Sequence, residues 1–538
     1  MTMLLDLDPR SSPRRATPNT AAGNAELFEI VLRALLCQWQ CFCIRKDYIV
    51  GSGLLKRLIR YSRLTLRLEL FLVAFVAASA LPLDVGCMIA TALLPLLSAL
   101  PLPTSSQLQW QMHQSSCFVH YNMATMVGTQ GCQSGVAAPP PLAAWQPVAL
   151  DTDAWMDTCK AMGGVRMIYV AKHGCGFAAW RSNVTAYNYS VSNVMGAAAI
   201  DVVDAFVSSA KKAGLGIGFY YSDATNSYCN VAHGVVQPGG GKPGQLNVTQ
   251  EIYDEFVVAH LTELWSAYGA LDEIWFDGGY HTTLKQRLAD LLTKLQPKAV
   301  VFGGSGLTKN ALRWVGTESG LAPYPVWSTT GSGSGSSGSA NGTVWMPAEA
   351  DFTLQRFDQW FYARHAGVHS PKELRRMYET SAGSNTGLII DIAPFPNGSV
   401  PSAQRAAATT LGKFVRGCYG QPPLASASGS SSTITVKPSS AATIDRVMIR
   451  EDQSKGERVR SFSLTAALAD GSRAPLCTAR GGKSVGNMFI CVLHKSMRVT
   501  SITLEITEAA DVPHISQLAL FSCSALAEEI DGEWTDRR

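Results

Sequence analysis

The sequence predicts an α/β protein, a (β/α)8 TIM-like barrel followed by a C-terminal antiparallel β-sandwich. Three observations carry this reading. Eight apolar strand candidates alternate with helix-like stretches over residues 104–417, the order that builds a parallel barrel inside its crossover helices. Polar residues suited to chemistry recur at the C-terminal ends of those strands, the face where barrel enzymes collect their sites. From residue 420 to 524 the pattern changes to short alternating runs separated by turn residues, as a β-sandwich requires.

Residues 1–103 form a separate segment. Its first 23 residues are polar and basic, with Pro and Ser, a composition too poor in apolar surface to fold alone. Two apolar runs follow, Leu70–Leu83 and Met88–Leu102. Each is shorter than the roughly 20 residues of a spanning helix. Together they read as a signal peptide or signal anchor, with Met88 a candidate initiator.

The strand candidates of the barrel are Cys117–Asn122, Met167–His173, Ile217–Ser222, Glu273–Asp277, Val300–Gly304, Leu312–Glu318, Val344–Asp351 and Leu388–Pro394. Helix-like stretches lie between several of them. In Ile252–Tyr268, Phe256, Leu261, Leu264 and Tyr268 recur at helical spacing and read as a core-facing stripe. His120, His173, Tyr220, Asp277, Glu318 and Glu349 all fall at or near strand ends. Asp277 stands out, because an apolar strand runs straight into it and Gly278-Gly279 follows. A carboxylate there is costly to bury unless something uses it, and two glycines permit a sharp turn with close ligand approach. It is the candidate nucleophile. Gly331–Gly342 is a flexible Gly/Ser insertion, best placed in a surface loop.

Composition narrows the partners. A hydrophobic content of 46% with 12 Trp fits a well-buried body. A net charge of +4 is too small to argue for nucleic acid and is compatible with neutral substrates. Nine of the 13 cysteines lie beyond residue 100, none in a CxxC pair, so a structural zinc site is not expected. Nine is odd, so at least one of these thiols stays unpaired. Five N-x-Ser/Thr sequons begin at Asn183, Asn188, Asn247, Asn341 and Asn397. With the cysteines they point to the secretory pathway, secreted or in a lysosome- or vacuole-like compartment, with membrane contact only through the signal anchor.

A series of motifs recurs in a recognisable order. It comprises Pro101–Trp110, Phe118-Val-His120, Ala171-Lys-His173 with Gly176, Phe177 and Trp180, and Phe219-Tyr-Tyr-Ser222. Ile274-Trp-Phe-Asp-Gly278, Arg313-Trp-Val-Gly-Thr-Glu318, Trp345-x-Pro-Ala-Glu349, Trp360-Phe-Tyr362, Gly387–Pro394 and Ile444–Phe462 continue it. From about Leu102 to Cys523 the chain resembles the α-L-fucosidases of glycoside hydrolase family 29. The resemblance implies a retaining exo-glycosidase that removes terminal α-L-fucose from oligosaccharides or glycoprotein glycans. Asp277 would attack the anomeric carbon, and a second carboxyl group would protonate the departing oxygen and then deprotonate water. Glu318 is preferred as that acid/base, since it matches the Glu of a Trp-x-Gly-x-Glu motif in the plant-like subgroup acting on α-1,3/1,4-linked fucose. Glu349 is the competitor. Trp314 and Trp345 would supply apolar surface around the acid. His120 and His173 match histidines that hold sugar hydroxyls, with Tyr220 beside them. Trp180 and Trp360 would offer aromatic faces to fucose, with core packing the alternative for either. No metal or cofactor is implied.

The chain also departs from that pattern. His173-Gly-Cys-Gly-Phe177 stands where the family commonly has His-His-Asp-Gly-Phe, and Thr129-Gln-Gly-Cys132 where a Glu-Trp pair is frequent. Each sugar-binding group lost costs about 1–3 kcal/mol of affinity or discrimination. Two other readings therefore stay open: a relative acting on another α-linked sugar, and a catalytically silent glycan-binding protein.

Overall fold

The computed structural model describes residues 100–113, 115–132 and 135–536. The signal segment and the Met88 start expected before residue 100 lie outside the described residues.

Eight parallel strands close a barrel in sequential order. They are β1 Ser115–Val119, β2 Arg166–Lys172, β3 Gly216–Tyr221, β4 Glu273–Trp275, β5 Val300–Phe302, β6 Ala311–Trp314, β7 Ala348–Thr353 and β8 Thr386–Ile392. Closure is made by β1, in which Cys117 stands opposite both Met167 of β2 and Ile390 of β8. Each expected strand is present with its ends shifted, and two of the shifts move candidate residues. β6 stops at Trp314, which leaves Glu318 on the following loop. The expected Val344–Asp351 strand divides at Pro347, which has no N–H for a ladder. Val344 and Trp345 pair with Thr329 and Thr330 in a two-stranded sheet of their own, and the barrel strand starts at Ala348.

Helix α1, Ser105–Met112, precedes the barrel. Between the strands lie α2 Thr152–Met162, α3 Val202–Ala213, α4 Gln250–Ala267, α5 Lys285–Leu295 and α6 Pro371–Ser381, and α7 Ser402–Cys418 follows β8. Their starts are written in the sequence. Asp151, Asp201, Thr249 and Ser370 each accept a backbone N–H from three residues on, satisfying a donor the helix itself cannot. On α4 the expected stripe holds: Phe256, Leu261 and Leu264 are buried, and the Tyr268 ring meets Phe219 at 5.6 Å. The connections from β5 to β6 and from β6 to β7 contain no helix. The second carries the Gly/Ser insertion, whose residues are poor helix formers.

The barrel interior is filled from below by Trp110 of α1, which packs with Phe118, Ile168, Trp275 and Phe302 in one apolar cluster. A Cβ at Gly387 would come within 2.2 Å of the Trp110 ring, so that position admits only glycine while the indole stays in place. The Trp110 indole donates to Glu273 at 2.9 Å, and Arg166 reaches the same oxygen at 3.4 Å. One layer higher the Trp275 indole donates to Glu349 at 2.8 Å. Burial pushes both glutamic acids upward, Glu349 well above the usual carboxyl range.

The C-terminal region is a seven-stranded antiparallel sheet: β9 Ala425–Gly429, β10 Thr433–Val436, β11 Ala442–Glu451, β12 Val459–Leu468, β13 Arg473–Leu476, β14 Phe489–Ala509 and β15 Ile515–Phe521. The 21-residue β14 pairs with β11 through its first half and with β10 and β12 through its second. One apolar core gathers Val447, Phe462, Leu464, Ile502 and Leu518 from both halves, so the sandwich is one sheet folded across β14. Beyond the expected boundary at 524, helix α8, Ser524–Asp536, returns to the barrel helices. Asp531 there accepts two hydrogen bonds from Arg375 of α6 at 2.8 and 2.7 Å.

Four disulfides join Cys117–Cys159, Cys132–Cys175, Cys418–Cys523 and Cys477–Cys491, and Cys229 is unpaired and buried. Cys418–Cys523 ties the end of α7 to the chain after β15 across 105 residues. Loops of this length gain the most from a cross-link, and removal costs about 2–5 kcal/mol. Urea unfolding of Cys418→Ser/Cys523→Ser should give a loss of that size. An unchanged midpoint would show that the bridge adds nothing to stability.

Candidate active site

The C-terminal ends of the strands surround a cavity of ≈ 300 Å³. β1 continues into His120, β2 into His173, and β3 carries Tyr220 near its end. β4 leads through Phe276 to Asp277, where Gly278 and Gly279 turn the chain at φ 72° and 82°. All four side chains line the cavity, together with Glu318 and Trp360.

Each of the two expected acidic residues has an aromatic donor. The Tyr220 hydroxyl donates to Asp277 at 2.8 Å. Burial, and then the Asp277 charge, hold the Tyr220 phenol well above its ordinary range, so it keeps the proton it donates. Glu318 stands four residues past the end of β6, after a turn at Gly316 with φ 94°. There the Trp360 indole donates to it at 3.1 Å. Trp360 also approaches His120, with ring centroids 5.1 Å apart.

The histidines are held differently. His120 Nδ1 shares a hydrogen bond of 2.7 Å with Asp391 of β8, which fixes the ring. Asp391 is buried, and burial raises its carboxyl. His173 stacks on Tyr220 at 5.5 Å and 13°. Its Nδ1 is buried and has no hydrogen-bond partner. Burial, then the neighbouring His120 and Lys172, push its imidazole down to about 3, so the ring is neutral at ordinary pH.

Two residues that the sequence reading did not single out also line the cavity. Asp351 of β7 is 3% exposed and accepts the Trp314 indole N–H at 2.9 Å. Its carboxyl is pushed up to about 8, chiefly by burial. Strand alternation sets Glu349, Asp351 and Thr353 on one face, and the end of β7 at Thr353 leaves Asp351 a layer above Glu349, at the cavity. Gln130 brackets the Phe361 backbone, donating to its carbonyl at 2.9 Å and accepting its N–H at 3.0 Å.

Three expectations are corrected. Glu349 is the second residue of β7, buried beside the Trp275 indole a layer below the cavity, and does not line it. It therefore drops out as the acid/base. Trp180 is 1% exposed and donates to Glu263 of α4 at 2.8 Å, with its ring against His260. The chain after β2 crosses outward over α4, which makes Trp180 a core residue. Trp345 is buried against Gln111 at 3.2 Å, so it supplies no surface to Glu318, and Trp314 turns its N–H to Asp351 instead.

The two departures from the family pattern meet in space. Cys132 and Cys175 are bonded, joining the loops after β1 and β2. A Cβ on Gly174 would lie 3.0 Å from Thr225 and 3.2 Å from the Cys132 carbonyl oxygen. Gly131, at φ 102°, presses its backbone onto His173, where a Cβ would sit 2.6 Å from the ring. This side of the cavity is filled by backbone and disulfide. Among the described residues no three His, Cys, Asp or Glu side chains gather as metal ligands.

A family model described as Alpha-L-fucosidase matches residues 109–420. The chain is 32% identical over 320 residues to Alpha-L-fucosidase 1 of Arabidopsis thaliana, covering 56% of this chain and 58% of that protein. It is 28% identical over 355 residues to a provisionally named alpha-L-fucosidase 1 of Oryza sativa subsp. japonica, covering 63% and 64%. The chain thus spans 58–64% of the length of these curated relatives. A solved structure of a provisionally named alpha-L-fucosidase from Bacteroides thetaiotaomicron shares 27% identity, with a TM-score of 0.70 over 79% of this chain and 99% of that one.

The neutral state of His173, whose Nδ1 is buried, has a measurable signature. The unfolded chain protonates this residue near 6.5, the native one only near 3. Between those values only the unfolded chain takes the proton, so the ring's contribution to stability is lost as pH falls through the window. NMR of the labelled imidazole should show no protonation of His173 from about pH 7 to about pH 4. A titration near its ordinary value would contradict the neutral state.

Proposed function

The chain belongs to the alpha-L-fucosidase family, and from that premise we propose that it is a retaining exo-glycosidase releasing terminal α-L-fucose from oligosaccharides or glycoprotein glycans. The observation that carries this reading is the presence of Asp277 and Glu318 on one small cavity, each with an aromatic hydrogen-bond donor.

Asp277 attacks the anomeric carbon while Glu318 gives its proton to the departing glycosidic oxygen, so the carbon–oxygen bond breaks as the ester to Asp277 forms. Glu318, now a carboxylate, takes a proton from water. That water attacks the same carbon and releases Asp277, and two inversions leave the configuration retained. Tyr220 orients Asp277 through its hydroxyl. His120, held by Asp391 through Nδ1, turns Nε2 to a sugar hydroxyl, and neutral His173 offers a second imidazole. Phe118, Trp275 and Trp360 supply aromatic surface for the apolar side of a deoxy sugar.

The volume supports an exo mode, since ≈ 300 Å³ suits a single sugar ring at the end of a chain. No Lys or Arg lines the cavity among the described residues, which favours a neutral sugar over an anionic one. The Cys132–Cys175 bridge and Gly174 favour the second reading, a preference for another α-linked sugar, because they put backbone where the family pattern has a histidine. Four disulfides and five exposed sequon asparagines support an oxidising compartment, secreted or lysosome- or vacuole-like.

On an aryl α-L-fucoside, Asp277→Gly should lose at least about 10³-fold in kcat. Azide should restore part of the rate and yield the azide of inverted configuration. Unchanged activity would remove Asp277 from the nucleophile role. Glu318→Gln should lose far less on an activated aryl fucoside than on a disaccharide, whose poorer leaving group needs the proton. Equal losses on both would argue against Glu318 as the acid.

A further inference from the structure

We propose that Asp351 is a further specificity-determining residue of this cavity, meeting a sugar hydroxyl as a neutral hydrogen-bonding group and not as a third carboxylate. The inference rests on the glycosidase reading above, whose two reacting carboxyls leave Asp351 without a role.

The geometry sets its charge. Four acidic side chains, Asp277, Glu318, Asp351 and Asp358, line the cavity, and no Lys or Arg does so among the described residues. The other titratable groups facing it are His120, His173 and Tyr220, and the last two are neutral. Asp277 and Glu318 open to water, but Asp351 is buried in β7, where the Trp314 indole donates to Oδ1 and no cation faces it among the residues lining the cavity. An ionised group there would be desolvated, unpaired and beside two acidic neighbours, the costliest arrangement for a carboxylate. Burial accordingly pushes its carboxyl up to about 8, with Glu318 and Asp277 adding to the rise and the Trp314 hydrogen bond opposing it. Oδ1 accepts from the indole, which leaves Oδ2 to carry the proton.

A neutral carboxyl both donates and accepts, so it selects a hydroxyl of fixed orientation. Asparagine keeps both capacities and cannot ionise, which makes Asp351→Asn the discriminating variant.

The test uses the full chain in three forms: wild type, Asp351→Asn and Asp351→Leu. Infrared difference spectra against Asp351→Asn read the protonated carboxyl directly. We expect its carbonyl band in the wild type at neutral pH, disappearing with a midpoint near 8. Calorimetry with L-fucose should show wild-type affinity falling over the same range. Asp351→Asn should stay within about threefold of wild type at neutral pH and lose the alkaline fall. Asp351→Leu should bind about 10–100-fold more weakly throughout. Absence of the band at neutral pH overturns the inference whether or not the protein acts on fucose. So does an Asn variant that binds as poorly as the Leu variant, since a carboxylate would then be required. Failure of the fucose reading would look different: no binding and no turnover in the wild type, with the Asp351 band still present. Thermal unfolding of each variant separates loss of binding from loss of fold.

Discussion

An indole N–H paired with a carboxyl group is the interaction that recurs at every level of this barrel. Trp110 donates to Glu273 at its base, Trp275 to Glu349 a layer above, Trp314 to Asp351 at the wall and Trp360 to Glu318 at the mouth. Even Trp180, outside the cavity, donates to Glu263. The choice has a physical basis. A barrel interior must be filled with bulky apolar surface, yet each buried oxygen needs a donor. Tryptophan satisfies both demands at once and brings no charge of its own.

Burial is the largest influence raising the carboxyls of the interior, and acidic neighbours add to it at Glu349 and Asp351. Glu273 has Arg166 beside it, and burial still raises it. Glu349 and Asp351 have no cation within reach of a salt bridge and are pushed up by burial, while Asp277 and Glu318 meet water at the mouth. The barrel is thus graded from buried acids with raised carboxyls inside to solvated acids at its opening. Among the described residues no Lys or Arg lines the pocket to recruit an anion. That is the electrostatic setting in which the proposed chemistry on a neutral sugar, with one carboxyl attacking and one shuttling a proton, is placed.

How much was legible in the sequence follows from the range of each determinant. The eight strands are local apolar runs, and they were readable. Asp277 was readable because its strand and its two glycines adjoin it. Glu349 sits lower than the apolar run from Val344 implies, because Pro347 moves the start of the strand to Ala348. The shift to Ala348–Thr353 sends Glu349 down a layer and leaves Asp351, the last residue of the expected strand, lining the cavity. Trp180 was misread because its partners, Glu263 and His260, come from a helix some 80 residues later. The roles of Gly174 and Cys175 depend on a bond across 43 residues, which no spacing rule contains. The missing helices between β5 and β7, and the final helix α8, are likewise matters of how the chain packs.

The two departures that looked separate along the chain are one feature in space. Cys132 holds Cys175, Gly131 covers His173, and Gly174 leaves no room for a side chain. This wall bears on which sugar fits, whereas the claim about chemistry rests on Asp277. The measurement that tests that claim most directly is peptide mass spectrometry of the protein trapped with an activated 2-deoxy-2-fluoro-α-L-fucosyl donor. The account predicts one fluorofucosyl adduct, on the peptide containing Asp277. Turnover of α-L-fucosides with the adduct on another carboxyl, or with none formed, would contradict it.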